Sequence, residues 1–169
     1  MIGRLASTLA TLGELLGPEV ALVPCPPSTP SDTSGHTASS PAPLRICRAL
    51  VRNALGAEVL PCLERTEAVR KSAFSAPGER LSVERHLETM RIGDLPIRPR
   101  RVTIVDDVVT KGTTLLAAAS LLRRILPDAD IAGFALLRTI PVGAQIERVV
   151  DPVVGRIIMT RWGDARREP

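Results

Sequence analysis

Residues 102–115 read Val-Thr-Ile-Val-Asp-Asp-Val-Val-Thr-Lys-Gly-Thr-Thr-Leu. Val102 to Val105 form an apolar and β-branched run of strand length. Two adjacent carboxylates, Asp106 and Asp107, stand at its end. A small-residue turn, Thr110 to Thr114, follows. Leu115, Leu116, Ala119, Leu122 and Leu126 then recur at helical spacing. The order is strand, acidic pair, loop, helix, which is the βα unit of an open α/β sheet. Ligands of such sheets bind outside the carboxyl ends of the strands.

The chemistry of the run is specific. Gly112 permits backbone angles that other residues resist, and Thr113 or Thr114 can cap the helix. The first-turn N–H groups carry partial positive charge and suit a phosphate. Thr110, Thr113 and Thr114 add hydroxyl donors. The carboxylates can accept hydrogen bonds from a vicinal diol, or bind Mg²⁺ directly or through water. A phosphate at one end and a diol at the other describe a ribose 5-phosphate. A strand ending in two aspartates also occurs in nucleoside triphosphatases, but their Gly-x-x-x-x-Gly-Lys-Ser/Thr loop is absent here. An ordinary βα junction needs neither two adjacent carboxylates nor three threonines for capping.

The run resembles the phosphoribosyl-pyrophosphate (PRPP) motif of the type I phosphoribosyltransferases over about 14 residues. The resemblance implies an α/β fold with a mostly parallel five-stranded sheet, helices on both faces and a small hood over the base. It implies a Mg²⁺-dependent enzyme that transfers the phosphoribosyl group from PRPP to a nitrogenous base and releases pyrophosphate. Asp106 and Asp107 would hold the ribose hydroxyls and the metal. Thr110, Lys111, Gly112, Thr113 and Thr114 would wrap the 5′-phosphate. The family's pyrophosphate loop follows its first core strand, where this chain has Pro24-Cys25-Pro26-Pro27-Ser28. Prolines lack the N–H that such a loop presents, so Cys25 and Ser28, flanking Pro26 and Pro27, are the expected contributors. The family also closes a flexible loop over the reacting centre. The segment 65–82 has that place, and Arg65, Arg70, Lys71 and Arg80 are its candidate cations, with Lys71 the candidate catalytic one.

Two departures narrow the family. Its 6-oxopurine salvage members carry an aspartate where Thr110 stands, serving the purine N7, and threonine is no ordinary general base near neutral pH. The pattern is nearer to the orotate transferases and to competence-associated, ComF-like members. Lys111 stands where a small or hydroxyl residue is commoner. A non-catalytic PRPP- or nucleotide-binding regulator, or a ComF-like accessory protein in DNA uptake, is the alternative reading, because this fold also serves regulators. A homodimer is implied by resemblance.

The rest of the chain sets bounds. Its 169 residues suit one domain with a real core. Three cysteines, Cys25, Cys47 and Cys62, form no CxxC pair, which indicates neither a disulfide framework nor zinc and suits a cytoplasmic protein. Glu14 interrupts the apolar N-terminal run, and no stretch approaches a membrane span. The net charge of +4 is scattered, and the aromatic residues are only Phe74, Phe134 and Trp162. Binding of nucleic acid by a basic arm or by repeated base stacking is therefore not expected.

Periodicity predicts a helix through Leu5, Leu9, Leu12 and Leu16, closed by Gly17-Pro18, and a strand over 20–23. It then predicts a helix from Pro41 to Gly56, a strand over 57–62 and a short helix over 82–89. The motif helix reaches Ile125. Strands over 131–137 and 156–160 complete the chain. His36 and His86 are expected to face solvent. Arg98, Arg100 and Arg101 lie at the strand end opposite the motif and read as solubility or partner contacts.

Overall fold

The computed structural model describes residues 10–30, 40–69, 81–140 and 152–168. Strand–helix alternation gives a parallel sheet, and the described sheet has the order β2-β1-β5-β6. Its strands are β1 (Ala21–Pro24), β2 (Glu58–Val59), β5 (Arg101–Val109) and β6 (Asp130–Arg138), and every pairing is parallel. Among the described residues the sheet thus has four strands where five were expected. Two antiparallel ribbons lie outside it. One joins β3 (Leu63–Arg65) to β4 (Met90–Ile92), and the other joins β7 (Arg156–Met159) to β8 (Ala165–Glu168).

Alternation along the strands fills both faces of the sheet. Val102 and Ile104 pack on one side with Leu115, Ala118 and Leu122 of helix α4 (Thr113–Ile125) and with Val83 of α3 (Val83–Glu88). Val20, Leu22 and Val105 pack on the other side with Leu16 of α1 (residues 10–16) and Cys47 of α2 (Ala42–Arg52). A fully buried leucine such as Leu122 contributes about 2–3 kcal/mol. Thr103 Oγ1 donates to Leu15 O at 2.6 Å, which satisfies the one hydroxyl in this core strand.

Several boundaries moved for local reasons. Of the strand expected over 57–62 only Glu58–Val59 pairs as β2, β3 begins beyond it at Leu63, and Pro61 between them cannot donate to a ladder. Helix α2 ends at Arg52, short of Gly56. Asn53 caps it, Ala54 turns left-handed at φ 59°, and Gly56 at φ 86° brings the backbone against Leu22. Only a glycine fits there, since a Cβ would meet Leu22 at 2.7 Å. Helix α3 forms where expected, with Ser82 Oγ accepting the Arg85 N–H at 3.1 Å. At the far end of β5, Arg101 donates to Glu14 O at 2.7 Å and Arg98 to Ile125 O at 3.0 Å. Those arginines tie helix ends to the sheet, and they lie opposite the motif as expected. No helix among the described residues is long and apolar enough to cross a membrane. Leu5, Leu9 and His36 lie outside the described residues.

Candidate functional site

The carboxyl edge of the sheet opens beside β5 because its two neighbours stop at different points. The N–H of Cys25 donates to Val105 O at 2.8 Å, and Pro26 and Pro27 then have no N–H to continue that ladder. On the other side β6 pairs with β5 as far as Val109. The strand therefore runs on past Val105, where the sequence reading ended it. Asp106 and Asp107 stand within it, with a strand neighbour on one side only.

Each carboxylate is half committed. Asp106 Oδ1 accepts the Asp107 N–H at 2.9 Å, and Asp107 Oδ1 accepts the Val108 N–H at 2.8 Å. The Asp106 carboxyl also meets the Cys25 thiol and the Asp107 carboxyl. Burial raises the Asp106 pKa well above the carboxylate range, and the neighbouring Asp107 adds to that rise; the Asp107 N–H and the Cys25 thiol oppose it. The Cys25 thiol is itself pushed far up, first by burial and then by Asp106. Cys25 is thus a neutral hydrogen-bond donor to Asp106 and no thiolate nucleophile.

The 110–114 loop closes onto helix α4 through Gly112, which sits at φ 90°. That left-handed angle makes Gly112 itself the N-cap and shifts Thr113 and Thr114 into the first turn. Neither threonine caps the helix, contrary to the sequence expectation, and no side chain does. Uncapped first-turn N–H groups are the donors that an anion satisfies. They face a cavity of about 30 Å³ lined by Asp106, Val108, Val109, Thr110, Gly112, Thr113, Thr114 and Leu115. One small space thus joins an acidic residue to a helix N-terminus.

Lys111 has a partner that sequence reasoning missed. Its Nζ pairs with Asp164 Oδ2 in the turn between β7 and β8. The other Asp164 oxygen accepts the Ala165 N–H at 2.8 Å, and the Asp164 N–H donates to Thr160 Oγ1 at 3.2 Å. Ile157 packs against Gly112, so the hairpin sits directly on the 110–114 loop. Beside Asp164, Trp162 is 79% exposed, and the Arg161 guanidinium lies 4.5 Å from its ring centre. No local pattern marks Asp164, since its partner is 53 residues away.

The other expected cations divide. Arg65 belongs to β3 and is 6% exposed, so it is an interior residue and not part of a mobile loop. Arg70, Lys71 and Arg80 lie outside the described residues. Val69, the last described residue before them, donates to Ser28 O at 2.6 Å. Of the expected pyrophosphate loop, Cys25 has its N–H committed to the sheet, Pro26 is buried, and Ser28 is half-buried. His86 is 2% exposed, contrary to expectation, because α3 turns it inward against Arg65.

The chain is similar in structure to a xanthine-guanine-hypoxanthine phosphoribosyltransferase of Helicobacter pylori. The TM-score is 0.44 at 11% sequence identity, over 86% of this chain and 78% of that one. No protein-family model matches the chain, and no curated protein sequence does.

A metal has a defined place to be tested. No group of three or more His, Cys, Asp or Glu side chains forms a metal cage among the described residues. Asp106 and Asp107 offer hard oxygens from two positions. That donor set fits Mg²⁺, which keeps several waters and takes further ligands from substrate phosphates.

Proposed function

We propose that this protein binds PRPP with Mg²⁺ and transfers its phosphoribosyl group to a nitrogenous base, as type I phosphoribosyltransferases do. One observation carries the reading: an uncapped helix N-terminus behind a left-handed Gly112 shares a cavity with Asp106, next to Asp107. The 5′-phosphate lies on the first turn of α4, among Thr110, Gly112, Thr113 and Thr114. The ribose 2′- and 3′-hydroxyls donate to the carboxylates of Asp106 and Asp107. Lys111 acts by holding the β7–β8 hairpin to the loop rather than by reaching the phosphate.

The reaction breaks the bond between C1 and the pyrophosphate oxygen, and the electron pair leaves with pyrophosphate. Positive charge grows on the sugar, and the two carboxylates offset it. The acceptor nitrogen then bonds to C1 and loses its proton to solvent. With the phosphate anchored, only C1 travels. Asp106 and Asp107 would hold Mg²⁺ directly or through water, and the bound ion would supply charge neutralisation on the pyrophosphate. Trp162 and Arg161, exposed beside the loop, form the proposed wall for the acceptor ring.

A second reading, binding without turnover, is favoured by one observation. The 24–28 loop has three prolines and a committed Cys25 N–H, so it offers a leaving pyrophosphate few backbone donors. Pyrophosphate release from Mg²⁺-PRPP, measured against a panel of purine and pyrimidine bases, separates the two. Release with one base supports the transferase. PRPP binding without release for any base selects the regulator, and absence of PRPP binding refutes both.

A further inference from the structure

Strand β3 carries a positive charge into the interior. Arg65 Nε donates to Pro27 O at 3.2 Å. Its Nη1 donates to Thr89 Oγ1 at 2.9 Å and lies 3.5 Å from His86 Nδ1. The ion pairs among the described residues all involve other side chains. Every hydrogen-bond partner of this guanidinium among the described residues is therefore neutral: a carbonyl, a hydroxyl and an imidazole. His86 is kept neutral by burial and by Arg65 itself. With Nδ1 accepting from Arg65, the ring carries its proton on Nε2, and Nε2 finds no acceptor.

A buried charge without a counter-charge is costly. Here it lies directly beneath the loop that the phosphoribosyl reading assigns to pyrophosphate. That loop is poor in donors of its own, as Cys25, Pro26 and Pro27 show. The Nη2 group of Arg65 makes no hydrogen bond among the described residues.

We propose that Arg65 is the positioning residue of the pyrophosphate half of the site. It sets the 24–28 loop through the Pro27 carbonyl. It also supplies from below the positive field that the proline-rich loop cannot supply from its amides. Thr89 and His86 fix the guanidinium without neutralising it. An arriving diphosphate supplies the counter-charge that the described residues do not. The inference rests on the PRPP reading, and its test separates the two.

The test is calorimetric titration of wild type, Arg65→Met and Arg65→Lys with inorganic pyrophosphate and, separately, with ribose 5-phosphate. Circular dichroism checks the fold of each. Arg65→Met is expected to weaken pyrophosphate binding by about tenfold or more, the scale of a lost charge-assisted contact. Ribose 5-phosphate, which engages the 106–114 loop, should bind as to wild type. Arg65→Lys restores the charge but cannot hold Pro27 and Thr89 together, so its pyrophosphate affinity falls between the other two. Folded Arg65→Met with unchanged pyrophosphate affinity overturns the proposal, as does equal weakening of both ligands. If Arg65→Met fails to fold, Arg65→Lys decides: wild-type affinity for pyrophosphate overturns the proposal, and selective loss upholds it. Wild type that binds pyrophosphate but not ribose 5-phosphate refutes the PRPP reading while leaving Arg65 to be judged by its variants. Wild type that binds neither overturns both.

Discussion

Replacing Gly112 with alanine tests how tightly the phosphate loop and the C-terminal hairpin are fitted. Two separate costs follow from the geometry. An L-residue at φ 90° is strained by about 1–2 kcal/mol. The new Cβ would also stand 2.6 Å from Ile157 Cδ1 and 2.9 Å from both Cγ1 and Cγ2. Those atoms belong to a side chain held between β7 and the loop, so it must shift, and overpacking of this kind costs about 1–3 kcal/mol. The sum is roughly 3 kcal/mol, or a fall in Tm of roughly 6–12 °C for a chain of this length. A double-mutant cycle separates the terms. Ile157→Ala removes the clash but not the strain. Gly112→Ala in that background should therefore cost about 1–2 kcal/mol, leaving a coupling of about 1 kcal/mol or more. Urea unfolding of the four proteins measures it. Additivity within about 0.5 kcal/mol would show that Ile157 does not press on Gly112, and the placement of the hairpin on the loop would be wrong.

Three further outcomes follow from the same geometry. Asp107→Asn keeps an oxygen for the Val108 N–H but turns its other acceptor into a donor; the fold should survive while pyrophosphate release falls by about 10²–10³, and full activity with a productive base would remove Asp107 from the site. Lys111→Ala should lower stability by no more than about 0.5–1 kcal/mol, because both partners are over a third exposed, and the charge-swapped pair Lys111→Asp with Asp164→Lys should recover part of it in a thermal melt. His86 has its pKa lowered to about 4, first by burial and then by Arg65. The unfolded chain takes up that proton first as pH falls, so the stability it holds at neutral pH drains away between about pH 6.5 and 4, by about 3 kcal/mol at most. Asp106, whose pKa is raised, contributes with the opposite sign in that range, so the measurement is the difference between wild type and His86→Gln across pH; parallel curves would contradict a buried neutral His86.

The readable parts of this chain were those whose signals are local. β5 is covered on both faces, so Val102 to Val105 appear as an unbroken β-branched run, and α4 follows with leucines and alanines at helical spacing. Ser82 announced α3 by its type and place. The unreadable parts depend on distant partners. Arg65 looks like a loop cation because nothing nearby shows that Pro27, 38 residues before it, and Thr89, 24 residues after it, receive its hydrogen bonds. His86 lies on a six-residue helix too short to display a buried face. β8 reads Ala-Arg-Arg-Glu, with no apolar alternation, and exists as a strand only through its pairing with β7. Lys111 stands out by type, but its meaning waits on Asp164. The strand–loop–helix unit could thus be read from sequence, whereas the groups that brace it could not.

The account stands on where a phosphorylated ribose lies. A crystal structure of the protein with PRPP and Mg²⁺ tests that most directly. It should show the 5′-phosphate within hydrogen-bond distance of the Thr113 and Thr114 N–H groups, the ribose 2′- and 3′-hydroxyls on Asp106 and Asp107, and the pyrophosphate over the 24–28 loop above Arg65. A ribose phosphate bound elsewhere, or an α4 N-terminus left without an anion at saturating PRPP, would contradict it.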